Sequence, residues 1–81
     1  MHVTVRLFAR LRDLVGTGEL HHEIADGATV AAVWESLVRE HAAIAPYADS
    51  MSCAVNAEYA RMTTPVSDGD EVAFLPPVSG G

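Results

Sequence analysis

Glu71-Val72-Ala73-Phe74-Leu75 carries apolar side chains on both faces of an extended chain, and it passes without a break into Pro76-Pro77-Val78-Ser79-Gly80-Gly81. A strand that is apolar on both sides belongs inside a sheet, covered on one side by a helix, rather than at an edge. The partner for such a strand lies at the other end of the sequence. His2-Val3-Thr4-Val5-Arg6-Leu7-Phe8 alternates, with Val3, Val5 and Leu7 on one face and Thr4 and Arg6 on the other, which is the pattern of a half-buried strand. These are the two best apolar strands, so they are expected to pair at the sheet centre, and they would run parallel.

The residues between them supply the rest of a layered domain. Ala9-Arg10-Leu11-Arg12-Asp13-Leu14-Val15 loses the alternation, sets Leu11, Leu14 and Val15 at helical spacing and is closed by Gly16, a C-terminal cap. Glu19 to Ile24 reads as a second strand pinned by Leu20 and Ile24, and Asp26-Gly27 turns the chain. The clearest helix is expected from Val30 to His41, capped by Thr29, with Val30, Val33, Trp34, Leu37 and Val38 on one stripe and the pair Glu35 and Arg39 opposite. Ala42 to Met51 reads as a loop with room for another turn, interrupted by Pro46. Ser52 to Asn56 is a third strand, followed by a turn near Ala57-Glu58, a short extended piece at Tyr59-Ala60-Arg61, and a further turn carried by Pro65, Asp68 and Gly69. Two hairpin-like halves joined by one helix make an α+β domain, with the helix on one face of a mixed sheet. That layout is the β-grasp, or ubiquitin-like, arrangement, although periodicity alone leaves it one of several candidates. Residues 1–75 are expected to form this domain and residues 76–81 a flexible tail.

The composition narrows the function. A chain of 81 residues supports one core, since a domain of this size buries only about 60% of its unfolded surface. Its formal net charge is -6, and every basic residue is an arginine (Arg6, Arg10, Arg12, Arg39 and Arg61). Nucleic-acid binding requires a basic stripe, and scattered arginines on an acidic chain do not make one. An acidic surface instead favours a partner with a positive face. No apolar run approaches the ~20 residues needed to cross a membrane. The start, Met1-His2-Val3-Thr4-Val5, lacks the basic and apolar blocks of a secretory signal, so a cytoplasmic location is expected. Cys53 stands alone and cannot form an intramolecular disulfide.

Candidate chemistry is sparse within the domain. His21 and His22 are neighbours on a strand and point to opposite faces, so they cannot converge on one metal ion, and no metal or bound cofactor is expected. His41 complements the dipole at the end of the long helix. Cys53, with no basic neighbour in the sequence, reads as a packed thiol. Acidic residues are scattered and form no acid-base dyad, and Gly16-Thr17-Gly18 lacks the lysine and the helix of a phosphate loop. The unusual element is the tail. Pro76-Pro77 favours a stiff polyproline II segment, Gly80 and Gly81 allow close backbone approach, and six residues can reach at most roughly 20 Å. A Gly-Gly ending also fits a frayed end or a cloning remnant, so the tail alone does not decide the matter.

Quoted together, Val5-Arg6-Leu7-Phe8-Ala9-Arg10-Leu11-Arg12-Asp13 with Gly16, then Val55-Asn56-Ala57-Glu58, Asp68-Gly69-Asp70-Glu71-Val72-Ala73-Phe74 and the ending Leu75-Pro76-Pro77-Val78-Ser79-Gly80-Gly81 resemble the ubiquitin-like sulfur carriers. Within that family the Pro-Pro-Val before the glycines is most similar to the small subunits of molybdopterin synthases. The resemblance implies a non-catalytic carrier. An ATP-dependent adenylating enzyme would convert the carboxylate of Gly81 to an acyl-adenylate, and a sulfurtransferase would supply sulfur to give a thiocarboxylate. The tail, Pro76, Pro77, Val78, Ser79 and Gly80, would then insert into a large subunit for delivery to a pterin. Fold analogy adds Phe8, Leu75 and the solvent face of the sheet as the partner surface. The same resemblance admits delivery to thiamine or tRNA, attachment to other proteins, or a non-covalent ubiquitin-like binding module.

Overall fold

The computed structural model describes residues 1–77. β5 (Glu71–Leu75) is the middle strand of five, and β1 (His2–Leu7) runs parallel beside it, with Val5 opposite Val72 and Leu7 opposite Phe74. β2 (Glu19–Glu23) pairs antiparallel with the far side of β1. β3 (Ser52–Val55) and β4 (Glu58–Ala60) form a hairpin whose first strand lies antiparallel to β5. The order β2-β1-β5-β3-β4 is the mixed sheet of a β-grasp, and with its helices the fold is α+β.

Two helices and a short 3-10 segment complete the chain. α1 (Ala9–Val15) ends at Gly16, whose φ of 94° and N–H bond to the Arg12 carbonyl, 2.8 Å long, provide the left-handed cap expected of glycine. α2 (Val30–Glu40) lays Val30, Val33, Trp34 and Leu37 into the core. Val38, expected on the same stripe, is only half-buried at its margin. Trp34 meets Phe74 edge to face with ring centroids 5.0 Å apart, which joins the helix to the central strand. Val3, Val5, Leu7, Leu11, Ile44, Cys53, Val66 and Val72 fill the rest of this single core.

Four local expectations shift, each for a physical reason. Phe8 is not the end of β1: it occupies the N-cap position of α1 with extended backbone, and Ala9 after it takes a φ of 49°. Thr29 has the backbone of an N-cap but makes no side-chain cap bond. The loop before β5 does that work, because Val30 N–H donates to the Thr64 carbonyl and Ala31 N–H to that of Met62, both at 2.9 Å. The stretch expected as a loop with room for one more turn holds a 3-10 helix, Ala42–Tyr47, which buries Ile44 and accommodates Pro46 between bonds from Ile44 N–H to the His41 carbonyl and from Ala48 N–H to that of Ala45. The β3–β4 turn falls on Asn56-Ala57, one residue earlier than expected, with φ of 51° and 69°. Two successive positive values match the twist of a tight hairpin, and asparagine tolerates them better than most residues.

Candidate functional site

The site begins with the alternation of β5. Val72 and Phe74 point into the core, while Glu71, Ala73 and Leu75 lie half-buried on the sheet face away from α2. Neighbouring strands add Ala54 from β3 and, directly opposite it, Tyr59 from β4. Phe8 closes the patch from beyond the end of β1. The result is an open depression whose floor is alanine (Ala54, Ala57 and Ala73) and whose sides are Phe8, Tyr59 and Leu75. Phe8 is 41% and Tyr59 86% exposed, the two large hydrophobic side chains left to solvent among the described residues. A concentration of apolar surface on one face of a small domain is the usual character of a binding surface.

Charge borders the patch rather than filling it. Arg6 lies 3.2 Å from Glu19 and 3.9 Å from Glu71, so its guanidinium is held along the β1–β2 side. At the start of β5, the Asn56 side chain donates to Asp70 Oδ1 at 2.9 Å and accepts the Glu71 N–H at 2.9 Å. The Asn56 amide, together with the Ser67 N–H, holds the Asp70 carboxyl below the usual carboxylate range. These bonds tie the β3–β4 turn to the start of the central strand.

Phe8 and Leu75, singled out from the sequence, come together on this face, beside the point where the chain leaves the sheet at Pro76 and Pro77. Tyr59 was not singled out. β4 is only 3 residues long, too short for alternation to show which way its side chains point. Val78, Ser79, Gly80 and Gly81 lie outside the described residues.

The remaining candidates are occupied structurally. Cys53 is buried, its thiol donates to the Ala60 carbonyl at 3.2 Å, and burial pushes its pKa up, all of which oppose a role as a nucleophile. His22 is buried between β2 and α2. Its Nε2 lies 3.0 Å from a Glu40 carboxylate oxygen, and its Nδ1 lies 2.9 Å from the Ser36 hydroxyl. His21 points to the opposite, exposed face, as adjacency on a strand requires. Among the described residues no three His, Cys, Asp or Glu side chains gather as a metal-binding group, and no helix is long and apolar enough to cross a membrane.

Residues 5–81 match the model of the ThiS family. The chain belongs to that family. Within it, the chain is 35% identical over 83 residues to the molybdopterin synthase sulfur carrier subunit of Chlamydomonas reinhardtii, with 100% of each covered. It is 38% identical over 81 residues to the subunit of that name from Escherichia coli, covering 98% of this chain and 99% of that one. Among solved structures, SAMP1 from Haloferax volcanii superposes with a TM-score of 0.91 at 29% identity, and all of both chains is covered. The chain is thus a ubiquitin-like member of the sulfur carriers, similar to the small subunits of molybdopterin synthases.

Proposed function

We propose that this protein is a sulfur carrier, the non-catalytic small subunit of a molybdopterin synthase. The observation that carries the reading is the exit of the central strand. β5 is hydrogen-bonded on both sides, ends at Leu75, and hands the chain to Pro76-Pro77 beside the exposed apolar face. A tail launched from a strand held on both sides has its direction set by the fold, and the stiff prolines lose little further freedom when they enter a partner. The apolar face would be what partners grip.

The chemistry follows from the terminal group. An α-carboxylate is ionised at neutral pH and is a poor electrophile, so sulfur cannot replace its oxygen without activation. An adenylating enzyme would transfer AMP from ATP to the Gly81 carboxylate, releasing pyrophosphate. A persulfide from a sulfurtransferase would then displace AMP to give an acyl disulfide, and a thiol would cleave its S–S bond, forming a disulfide with the sulfur donor and releasing the thiocarboxylate. The absence of a side chain at Gly80 and Gly81 gives the nucleotide and the incoming sulfur room. In the large subunit the thiocarboxylate would give its sulfur to a pterin precursor and return as a carboxylate, and two such deliveries would make a dithiolene. ATP is consumed by the activating partner and is not held by this chain. Both steps would take place in the cytoplasm.

The test is to incubate the protein with ATP, an adenylating enzyme and a sulfur source and to weigh it intact. The expected gain is the mass difference between one sulfur and one oxygen; no gain under conditions that load a known carrier would refute the reading. The likeness to SAMP1, a small archaeal modifier protein, favours a second reading in which the activated tail is joined to amino groups of other proteins. Conjugates of higher mass that retain Gly81 in an amide bond would mark that outcome.

A further inference from the structure

The two edges of the sheet differ. β4 is only 3 residues long, whereas β2 has 5 and pairs on one side with β1. The phase of that pairing decides which main-chain groups of β2 are already bonded. Leu7 N–H donates to the Gly18 carbonyl at 3.0 Å and Ile24 N–H to the Met1 carbonyl at 2.8 Å, with Arg6 opposite Glu19 and His2 opposite Glu23 in between. Bonded and non-bonded residues alternate along an antiparallel ladder. Gly18, Leu20, His22 and Ile24 therefore turn their N–H and C=O groups to β1, and Glu19, His21 and Glu23 turn theirs outward. The Thr17 hydroxyl covers those of Glu19, at 3.4 Å from its nitrogen and 3.3 Å from its carbonyl oxygen. Among the described residues nothing takes up the outward groups of His21 and Glu23. An exposed row of this kind is a template for another strand.

We propose that the β2 edge binds an extended basic segment of a partner protein, which adds to the sheet as a further strand. Charge selects this occupant. Glu19 and Glu23 stand exposed at the two ends of the strand, with Asp26 beyond them and Glu40 on the helix side, next to His22. Arg6, 3.2 Å from Glu19, and the Met1 ammonium, 3.2 Å from Asp26, offset only part of that charge. A second copy of the chain fits badly. Antiparallel pairing about His21 would set Glu19 against Glu23 of the copy at both ends, and like charges directly opposite destabilise a sheet. A segment with lysine or arginine at positions i and i+4 instead meets both glutamates on one face, because alternate side chains of a strand share a face. Its residues at i+1 and i+3 turn to the helix side, where Leu20 lies half-buried, and apolar side chains suit them. The main-chain groups of His21 and Glu23 supply affinity, and the glutamates supply the choice of partner. β1 separates this edge from β5 and the exit of the tail, so the edge can be held while the tail is engaged elsewhere.

The full chain, isotope-labelled and titrated with the peptide acetyl-Lys-Val-Thr-Val-Lys-amide, tests the proposal by nuclear magnetic resonance. Saturable shifts and slowed hydrogen exchange are expected at the His21 and Glu23 N–H groups, with cross-strand contacts between peptide and β2 protons. The same peptide with glutamate in place of both lysines should bind roughly tenfold more weakly. Joint substitution of Glu19→Lys and Glu23→Lys should reverse that preference. His21→Pro removes an outward donor and no bond to β1, so it should abolish binding with little change in melting temperature, as proline is tolerated at a sheet edge. Should that variant fail to fold, the charge reversal and the exchange rates still decide. The proposal is overturned if millimolar peptide leaves β2 unshifted, if shifts gather on the Phe8 and Tyr59 face instead, or if both peptides bind equally. Contacts between β2 strands of two copies, seen with the chain alone, would overturn it as well.

Discussion

Val72 and Phe74 are fully buried beneath α2, while Ala73 and Leu75, on the same strand, stay half exposed on the other side of the sheet. The covered face is built of large side chains packed against Leu37, Val33 and Trp34; the open face is built of alanines ringed by Phe8, Tyr59 and Leu75. The difference separates two kinds of apolar residue that composition counts alike. Residues on the covered face hold the domain together. Those on the open face contribute little to stability and are available to a partner.

Substitutions can be chosen to break that division, and the largest effect belongs to the covered side. Phe74→Ala removes a ring touching Trp34 and should cost about 3–5 kcal/mol, much of the stability of a domain this small. Chemical denaturation followed by tryptophan fluorescence would read it. Asn56→Ala comes next, at about 1–2 kcal/mol by the same measurement, because it leaves the Glu71 N–H without its partner and puts a second alanine at positive φ in that turn.

Acid stability provides a smaller test at the edge between the faces. The Asp70 carboxyl is held low by Asn56 and by the Ser67 N–H, so folding favours its charged form. Its contribution is complete above the pKa of the unfolded chain and fades as the pH falls through the ordinary carboxylate range towards the lower folded value. Asp70→Asn should therefore lower the melting temperature at neutral pH, and the gap from the unaltered protein should close on acidification. A gap that widens in acid would contradict this assignment.

The smallest effect on stability is expected on the open face. Tyr59→Ala should change stability by no more than about 0.5 kcal/mol, as for a surface residue, yet slow loading of the tail by an adenylating enzyme. Equal loading rates for the two proteins would remove Tyr59 from the partner surface and sharpen the boundary of the patch.

How much of this was legible in the sequence depended on periodicity and length. β1 and β5 alternate over enough residues to show their faces, and their central parallel pairing followed from both being apolar. α2 was legible for the same reason, because its stripe repeats over 11 residues. The cap of that helix was not, since the groups that satisfy it are carbonyls of Thr64 and Met62, distant in sequence and silent in side-chain pattern. The hairpin turn slipped by one residue because Asn56-Ala57 lacks the glycine that usually marks such a turn. Phe8 and Leu75 were named by fold analogy rather than by any pattern of their own, and Tyr59 depends on register across strands, which one sequence does not display.

The most direct test of the account concerns Gly81, because the account assigns the reaction to the tail and stability to the rest. A chain lacking Gly81 should be measured beside the full chain for sulfur loading by intact mass and for melting temperature. The account predicts that loading disappears while the melting temperature is unchanged. Loading that persists without Gly81, or a melting temperature that falls sharply with it, would contradict the claim that this domain is a handle for a reactive terminal glycine.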